Sequence, residues 1–260
     1  MRYLHLFLRL YSSVVKAVGS ITIPYNARPF VFKFIGKRLF YMTSRDFNII
    51  RDPLNTYRNL NEFFTRKIDL KQRPTDNHSI ISPCEGKVIC ADLIQKTGKL
   101  TQVKGITYSL DNLIMDKQIS DIFRNGSFCN IYLSPRNYHR FNIPCSGIIE
   151  KIKHIPGTCY PVNSWGQQIK GLYTLNERVI VSIKNDKFNL CLVIVGATAV
   201  REITLFKKQN IKVVKGEELG MFQMGSSIVM LSDKKVFSTT NTIMGEREIL
   251  GAIIKEENLF

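Results

Sequence analysis

Two adjacent hydroxyls and one imidazole are the groups in this chain whose settings ask for chemistry. The hydroxyls belong to Ser226 and Ser227, which follow Gly225 and lead into the apolar run Ile228-Val229-Met230-Leu231. A Gly-Ser pair between two strands is ordinary turn chemistry. Hydroxyls at the threshold of a buried strand, however, need hydrogen-bond partners or a reaction. Of the four histidines, His139 sits in the run "NYHRF"; taken alone it reads as a partly buried ring bonded to backbone. His5, His78 and His154 have no comparable context. The six cysteines (Cys84, Cys90, Cys129, Cys145, Cys159 and Cys191) form no Cys-x-x-Cys pair and no metal-type spacing. They read as small buried apolar residues of a reducing compartment, and no metal is expected.

The elements that must hold these groups fall into two kinds. At the N-terminus, Leu4, Phe7, Leu8, Tyr11, Val14, Val15 and Val18 recur at helical spacing, with Arg2, His5, Arg9, Ser12, Ser13 and Lys16 opposite. His5 and Arg9 interrupt the unbroken apolar core that a signal peptide needs. Such a face suits a helix lying in a membrane interface, or one packed on the protein's own core. "RPFVFKFIGKRLF" (28–40) mixes bases with aromatics and suits the same two settings. In "NLNEFFTRK" (59–67), Asn59 is a helix N-cap with Glu62 three residues on.

From about residue 78 short β-branched runs alternate with Gly and Pro turns. "SPCEGKVI" (82–89) is echoed by "IPCSGIIE" (143–150), and "VVKGEELGMF" (213–222) by "TIMGEREILGAI" (242–253); a tight turn with positive φ is expected at these glycines. The predicted fold class is α+β: a helical, membrane-associating N-terminal region over 1–70, then a β-rich domain over 71–260 of barrel or sandwich type. Lys plus Arg number 37 against 21 Asp plus Glu, a net charge of +16. That excess calls for an anionic partner. The bases are scattered and no nucleic-acid signature is present, so nucleic acid is excluded and an anionic phospholipid surface favoured. No internal segment is apolar over the ~18 residues a membrane span needs.

Several blocks occur in one order: "NLNEFFTRK", "SPCEGKV", "IYLSPRNYHRFNIPCSG", "VNSWGQQIKGLYTLNERV", "VGATAV" and "VKGEELGMFQMGSSIVML". Together they resemble the phosphatidylserine decarboxylase family from about Tyr57 to the C-terminus. The resemblance implies self-cleavage at Gly225-Ser226, where the Ser226 hydroxyl attacks a carbonyl that glycine leaves unshielded. Elimination and hydrolysis would follow, leaving a pyruvoyl group at the new N-terminus. The fragments, a β chain ending at 225 and an α chain from 226, would stay together as a heterodimer, with a homodimer left open. The pyruvoyl group, made from Ser226, would be the sole cofactor and the electron sink for converting phosphatidylserine to phosphatidylethanolamine. A peripheral enzyme on the cytoplasmic face of a membrane is implied.

The same resemblance assigns His139 to the decarboxylation step and gives Asn176, Glu177 and Arg178 a supporting part. Two positions depart from the family pattern. Glu85, in Pro83-Cys84-Glu85-Gly86, stands where the self-cleavage triad has Asp, and Asn142 where it has its histidine base. Asn142 cannot take up a proton at neutral pH. Three readings follow: an active decarboxylase using another base, an uncleaved pseudoenzyme that binds anionic lipid, or a relative acting on another amino-acid headgroup.

Overall fold

The computed structural model describes residues 10–11, 13–15, 17–69, 80–101, 106–197, 203–223 and 226–237. Gly225, His5, His78 and the 242–253 echo therefore lie outside the described residues.

The backbone is helical where described between residues 10 and 19. Three helices follow: α1 (Arg28–Arg38), α2 (Ser44–Asn48) and α3 (Leu60–Phe64). Pro29 lies in the first turn of α1, where its missing N–H breaks no helical bond. Thr43 and Asp46 cap α2 reciprocally. The expected cap of α3 is present, the Glu62 N–H donating to Asn59 Oδ1 at 3.0 Å. The Glu62 carboxylate turns back to the N–H of Arg58 (2.7 Å), one residue before the cap. An aromatic cluster joins these helices: Phe32 stacks on Phe63 with centroids 4.8 Å apart, and Phe40 meets Phe64 edge-on at 5.4 Å. "RPFVFKFIGKRLF" forms a helix with one face packed on the protein's own core and the other exposed. Phe32 and Gly36 are buried, while Phe30 and Phe34 point out at 76% and 56% exposure.

The β region is built on one seven-stranded sheet: β1 (Lys87–Leu93), β4 (Ser127–Leu133), β6 (Gly147–Ile155), β7 (Arg178–Lys184), β8 (Asn189–Gly196), β10 (Ile211–Val213) and β12 (Ser226–Ser232). The order is β1-β4-β12-β8-β7-β6-β10, with antiparallel pairing throughout. A second sheet joins β5 (Arg140–Asn142), β11 (Glu218–Phe222) and β9 (Ile203–Leu205); β2 (Lys99–Thr101) pairs with β3 (Thr107–Ser109). The sheets stay open among the described residues, so the fold is layered and not a closed barrel.

Alternation along the central strands explains the layers. Leu192 and Ile194 of β8, with Ile228 and Met230 of β12, share one core with Phe141 and Phe222 of the three-stranded sheet. Val193, Val195, Val229 and Leu231 point to the other face, against α4 (Leu110–Ile114), α5 (Lys117–Ile122) and α6 (Leu172–Leu175). Both faces are covered, and the central strands therefore read as unbroken apolar runs. Five of the six cysteines are buried in these layers and Cys90 is half-buried; all are free thiols.

The glycines of the Pro-Cys-x-Gly echo do not adopt positive φ, contrary to the expectation. A Cβ on Gly86 would stand 2.5 Å from the Tyr132 carbonyl oxygen, and one on Gly147 2.3 Å from that of Lys184. Close backbone approach, and not a left-handed turn, excludes a side chain at both. Gly216 does carry the expected positive φ, at 88°.

The Asn176-Glu177-Arg178 block is structural. Arg178 is buried and donates to the carbonyls of Asn112, Leu113, Thr174 and Asn176; burial holds its pKa down at about 10. Glu177 meets His154 at 2.9 Å on the surface. Asn176 Nδ2 donates to the carbonyls of Tyr160 (2.8 Å) and Gly196 (2.8 Å), and its Oδ1 accepts from Tyr160 N–H and the Thr158 hydroxyl. Gly196 is the residue paired with Ser226, so this amide pins the strand end beside the hydroxyl. Asn176→Ala leaves several of these groups unsatisfied in the interior and should destabilise the fold by about 3 kcal/mol. Urea unfolding should show the lower midpoint with an unchanged slope.

Candidate active site

The bend over 82–86 and the turn over 134–139 form one assembly. Ser82 Oγ donates to the Cys84 carbonyl at 2.6 Å, folding the Pro-Cys-Glu-Gly segment back on itself. The bend is then tied to β5, with Asn142 N–H donating to the Pro83 carbonyl at 2.7 Å. Glu85 is buried, and its Oε2 accepts the N–H of Tyr138 at 3.0 Å. The predicted Glu85 thus reaches the backbone immediately before His139. Ser134 N–H and Oγ both donate to Asn137 Oδ1 (2.8 and 2.6 Å), a side-chain turn that fixes the loop.

His139 is fully buried. Its Nδ1 lies 2.8 Å from the Asn137 carbonyl oxygen, which can only accept, so Nδ1 carries the proton and Nε2 a lone pair. Nε2 is buried without a hydrogen-bond partner. Burial pulls the pKa of His139 down to about 3; the Asn137 contact opposes the shift and the Arg66 cation adds to it. The ring is therefore a neutral base at physiological pH.

Ser226 opens β12, opposite Leu133 of β4 and Gly196 of β8. The His139 carbonyl accepts from Phe222 N–H at 2.9 Å, four residues upstream of Ser226. Ser226 and His139 thus stand at the same end of the layered sheets. The Ser226 hydroxyl is fully buried and has no hydrogen-bond partner among the described residues. Ser227 turns to the other face, toward Tyr173 and Asn130. Burial pushes the Tyr173 phenol up to about 12, with those two neighbours pulling it back. Asn142 lies three residues beyond His139 in β5, and its Nδ2 donates to the Gly216 carbonyl at 2.9 Å. Its Oδ1 is buried and without a partner. A buried unsatisfied polar atom costs about 1–3 kcal/mol and calls for an explanation, and the described residues hold ten, others being on Tyr57, Arg66, Tyr108, Asn130, Tyr173 and Ser227. Ser226 Oγ, His139 Nε2 and Asn142 Oδ1 are three of them.

A model of the family described as phosphatidylserine decarboxylase matches residues 60–254. Several proteins named phosphatidylserine decarboxylase proenzyme are similar along most of their length. That of Herminiimonas arsenicoxydans is 33% identical over 236 residues, covering 83% of this chain and 79% of its own. Those of Acinetobacter baumannii (strain SDF) and Dechloromonas aromatica are 33% and 32% identical, over 74% and 70% of this chain and 75% and 72% of theirs. The chain belongs to the phosphatidylserine decarboxylase family. This is a family of carboxy-lyases that use a pyruvoyl group and associate with membranes. Among the described residues no helix is long and apolar enough to cross a membrane, and no cluster of side chains could hold a metal ion.

A cavity of about 340 Å³ opens beside the His139 turn of this family member. Leu39 and Tyr41, just after α1, form one wall, Tyr132 another, and Lys87, Arg136 and Asn137 complete it. Asn137 is the residue that holds His139 Nδ1, so the cavity wall and the imidazole share a backbone link. Reading the sequence alone did not single out Tyr132, Asn137, Phe64 or Arg66, although all four stand in the quoted blocks.

The depressed pKa of His139 has a signed consequence. The unfolded chain takes up a proton near pH 6.5 and the folded protein only near pH 3. The stability this difference provides is therefore lost progressively as pH falls through that window. In a histidine-labelled sample, the imidazole resonances of His139 should not titrate between pH 8 and 5. A midpoint near 6.5 would contradict the buried, neutral ring.

Proposed function

We propose that this protein cleaves itself at Gly225-Ser226 and decarboxylates phosphatidylserine at a membrane surface, with His139 as the proton-transfer group. The observation that carries this reading is the pair of orphaned polar atoms, Ser226 Oγ and His139 Nε2, buried at the same end of the sheets. In the cleavage step Ser226 Oγ attacks the Gly225 carbonyl carbon. The C–N bond breaks as the ester C–O bond forms, and Nε2 passes the hydroxyl proton to the departing nitrogen. Loss of the Ser226 Cα proton then breaks its Cβ–O bond, releasing the chain that ends in the Gly225 carboxylate. Hydrolysis of the remaining enamine, with loss of ammonia, leaves the pyruvoyl group.

Glu85 acts one residue removed, holding Tyr138 N–H and with it the backbone of the His139 turn. Asn142 anchors the Gly216 turn and takes no part as a base. The residue set fits a pyruvoyl group, since residue 226 begins a strand with an unpartnered buried hydroxyl at the same end of the sheets as a neutral imidazole. Such a group would supply the electron sink for loss of CO2. Lys87 and Arg136 give the adjoining cavity two cations for an anionic headgroup, and Leu39, Tyr41 and Tyr132 give it apolar wall for a lipid.

The helical region over 1–70 serves, on this reading, as the lipid-facing part, with 71–260 as the catalytic part. Leu10, Tyr11, Val14, Val18, Phe30 and Phe34 are all at least half exposed. An apolar surface of that extent on a strongly basic protein suits an anionic bilayer.

Denaturing gels and intact mass of the purified protein test the cleavage. Two chains meeting at Ser226, the smaller blocked at its N-terminus, are expected, and Ser226→Ala and His139→Gln should each leave one 29.9 kDa chain. A wild type that stays whole after long incubation would favour the uncleaved lipid-binding reading. Asn142→His combined with Glu85→Asp should speed cleavage, within the roughly 10²–10⁴-fold that a general base provides. Removing residues 1–22 should weaken binding to phosphatidylserine-containing liposomes while leaving cleavage intact; unchanged binding would refute the interfacial role of the first helix.

A further inference from the structure

The last turn of the helical region reaches into the site. Phe64, buried at the end of α3, packs on the His139 ring with centroids 4.0 Å apart and planes 41° apart. Two residues on, Arg66 is buried and donates through its terminal nitrogens to the carbonyls of Arg136 (3.2 Å) and Phe64 (3.5 Å). Arg140 closes the clamp from the other side. Its Nε donates to the Thr65 carbonyl at 2.8 Å, and its Nη1 meets Glu218 Oε1 at 2.9 Å. The Arg66 guanidinium also lies over the Phe63 ring at 5.4 Å, and burying it is costly where no salt bridge among the described residues pairs it.

The imidazole is thus held on two sides. The Asn137 carbonyl fixes Nδ1 and the Phe64 ring covers a face, leaving Nε2 as the open position. The charged and titratable groups around it are Arg66 from the helical region, Glu85 from the 82–86 bend, Arg136, Tyr138 and Arg140 from its own segment, and Glu218 from β11. Arg66 is the cation whose field disfavours a second positive charge on the ring.

We propose that Phe64 and Arg66 are positioning residues for His139, fixing the ring as a bare-Nε2 base, so that the end of the helical region takes part in the reaction as well as in membrane attachment. The proposal rests on the reading of His139 as the proton-transfer group. It assigns to "NLNEFFTRK" a role that a lipid anchor would not need.

The test follows the His139 imidazole by NMR in full-length, histidine-labelled protein, with His139→Gln to assign the signal. Phe64→Leu removes the stacked ring and keeps the charge, whereas Arg66→Gln removes the charge and keeps the ring. Each should raise the pH at which His139 titrates above the wild-type value and slow self-cleavage by roughly 10- to 100-fold. Arg66→Lys should restore the wild-type titration and most of the rate. If the folded variants keep the wild-type titration and the wild-type rate, the assignment is wrong. It is equally overturned if both variants fail to fold, because structural support alone would then explain them. His139→Gln separates the two readings. Wild-type cleavage in that variant sinks His139 as the base, whereas blocked cleavage with an unmoved resonance in Phe64→Leu and Arg66→Gln sinks only the positioning role.

Discussion

The contact on which the site depends is the hydrogen bond from Tyr138 N–H to the Glu85 carboxylate. Through it a bend before the first strand of the main sheet grips the backbone that presents His139. The Asn142 N–H to Pro83 carbonyl bond repeats the grip four residues later, so the bend spans the whole His139–Asn142 segment. Gly86 follows directly, in a space where a Cβ would collide with the Tyr132 carbonyl. The sequence Pro-Cys-Glu-Gly is therefore constrained at each position by what it packs on. A carboxylate is required at 85 to accept a buried N–H, and glutamate reaches it as well as the shorter aspartate could from a closer backbone.

That arrangement changes the meaning of Asn142. A histidine at this position would be a second imidazole in β5. The asparagine instead fastens the turn at Gly216, whose positive φ sends the chain into β11 and on toward Ser226. On the proposed reading His139, held neutral by burial, serves as the base without a second ring. The substitution exchanges a titratable group for a hydrogen-bonding one at a place where the backbone needs an anchor.

The sequence carried much of this because it concerns local rules. The Asn59 cap, the unbroken apolar runs of β7, β8 and β12, the buried cysteines and the placing of Ser226 at a strand mouth all follow from neighbours within a few residues. What could not be read depends on contacts across the chain. Phe64 lies 75 residues from His139, and nothing in "NLNEFFTRK" points to an imidazole. The glycines of the two Pro-Cys-x-Gly segments were assigned positive φ because turns are the commonest reason for glycine. The close approach of Tyr132 and Lys184 is visible only once the strands are paired. Likewise, alternating bases and aromatics in 28–40 could not say which aromatics face inward, because Phe32 and Phe34 differ only in what packs over them.

The helical region shows how one segment can answer to two environments. Phe30 and Phe34 turn outward from the same helix whose Phe32 anchors the aromatic cluster, and that cluster runs through Phe63 to Phe64. From Phe32 a path of packed aromatic side chains runs through Phe63, Phe40 and Phe64 to the imidazole of His139, with the cavity walled by Leu39 and Tyr41 alongside. A soluble substrate would give no reason to build a site beside exposed apolar side chains such as Leu39 and Tyr41. On the proposed reading a lipid does, with its headgroup toward Lys87 and Arg136 and its chains in an apolar phase. A cavity between exposed helices and the His139 turn suits, on the same reading, a substrate drawn sideways out of a bilayer, and the net charge of +16 suits an anionic one.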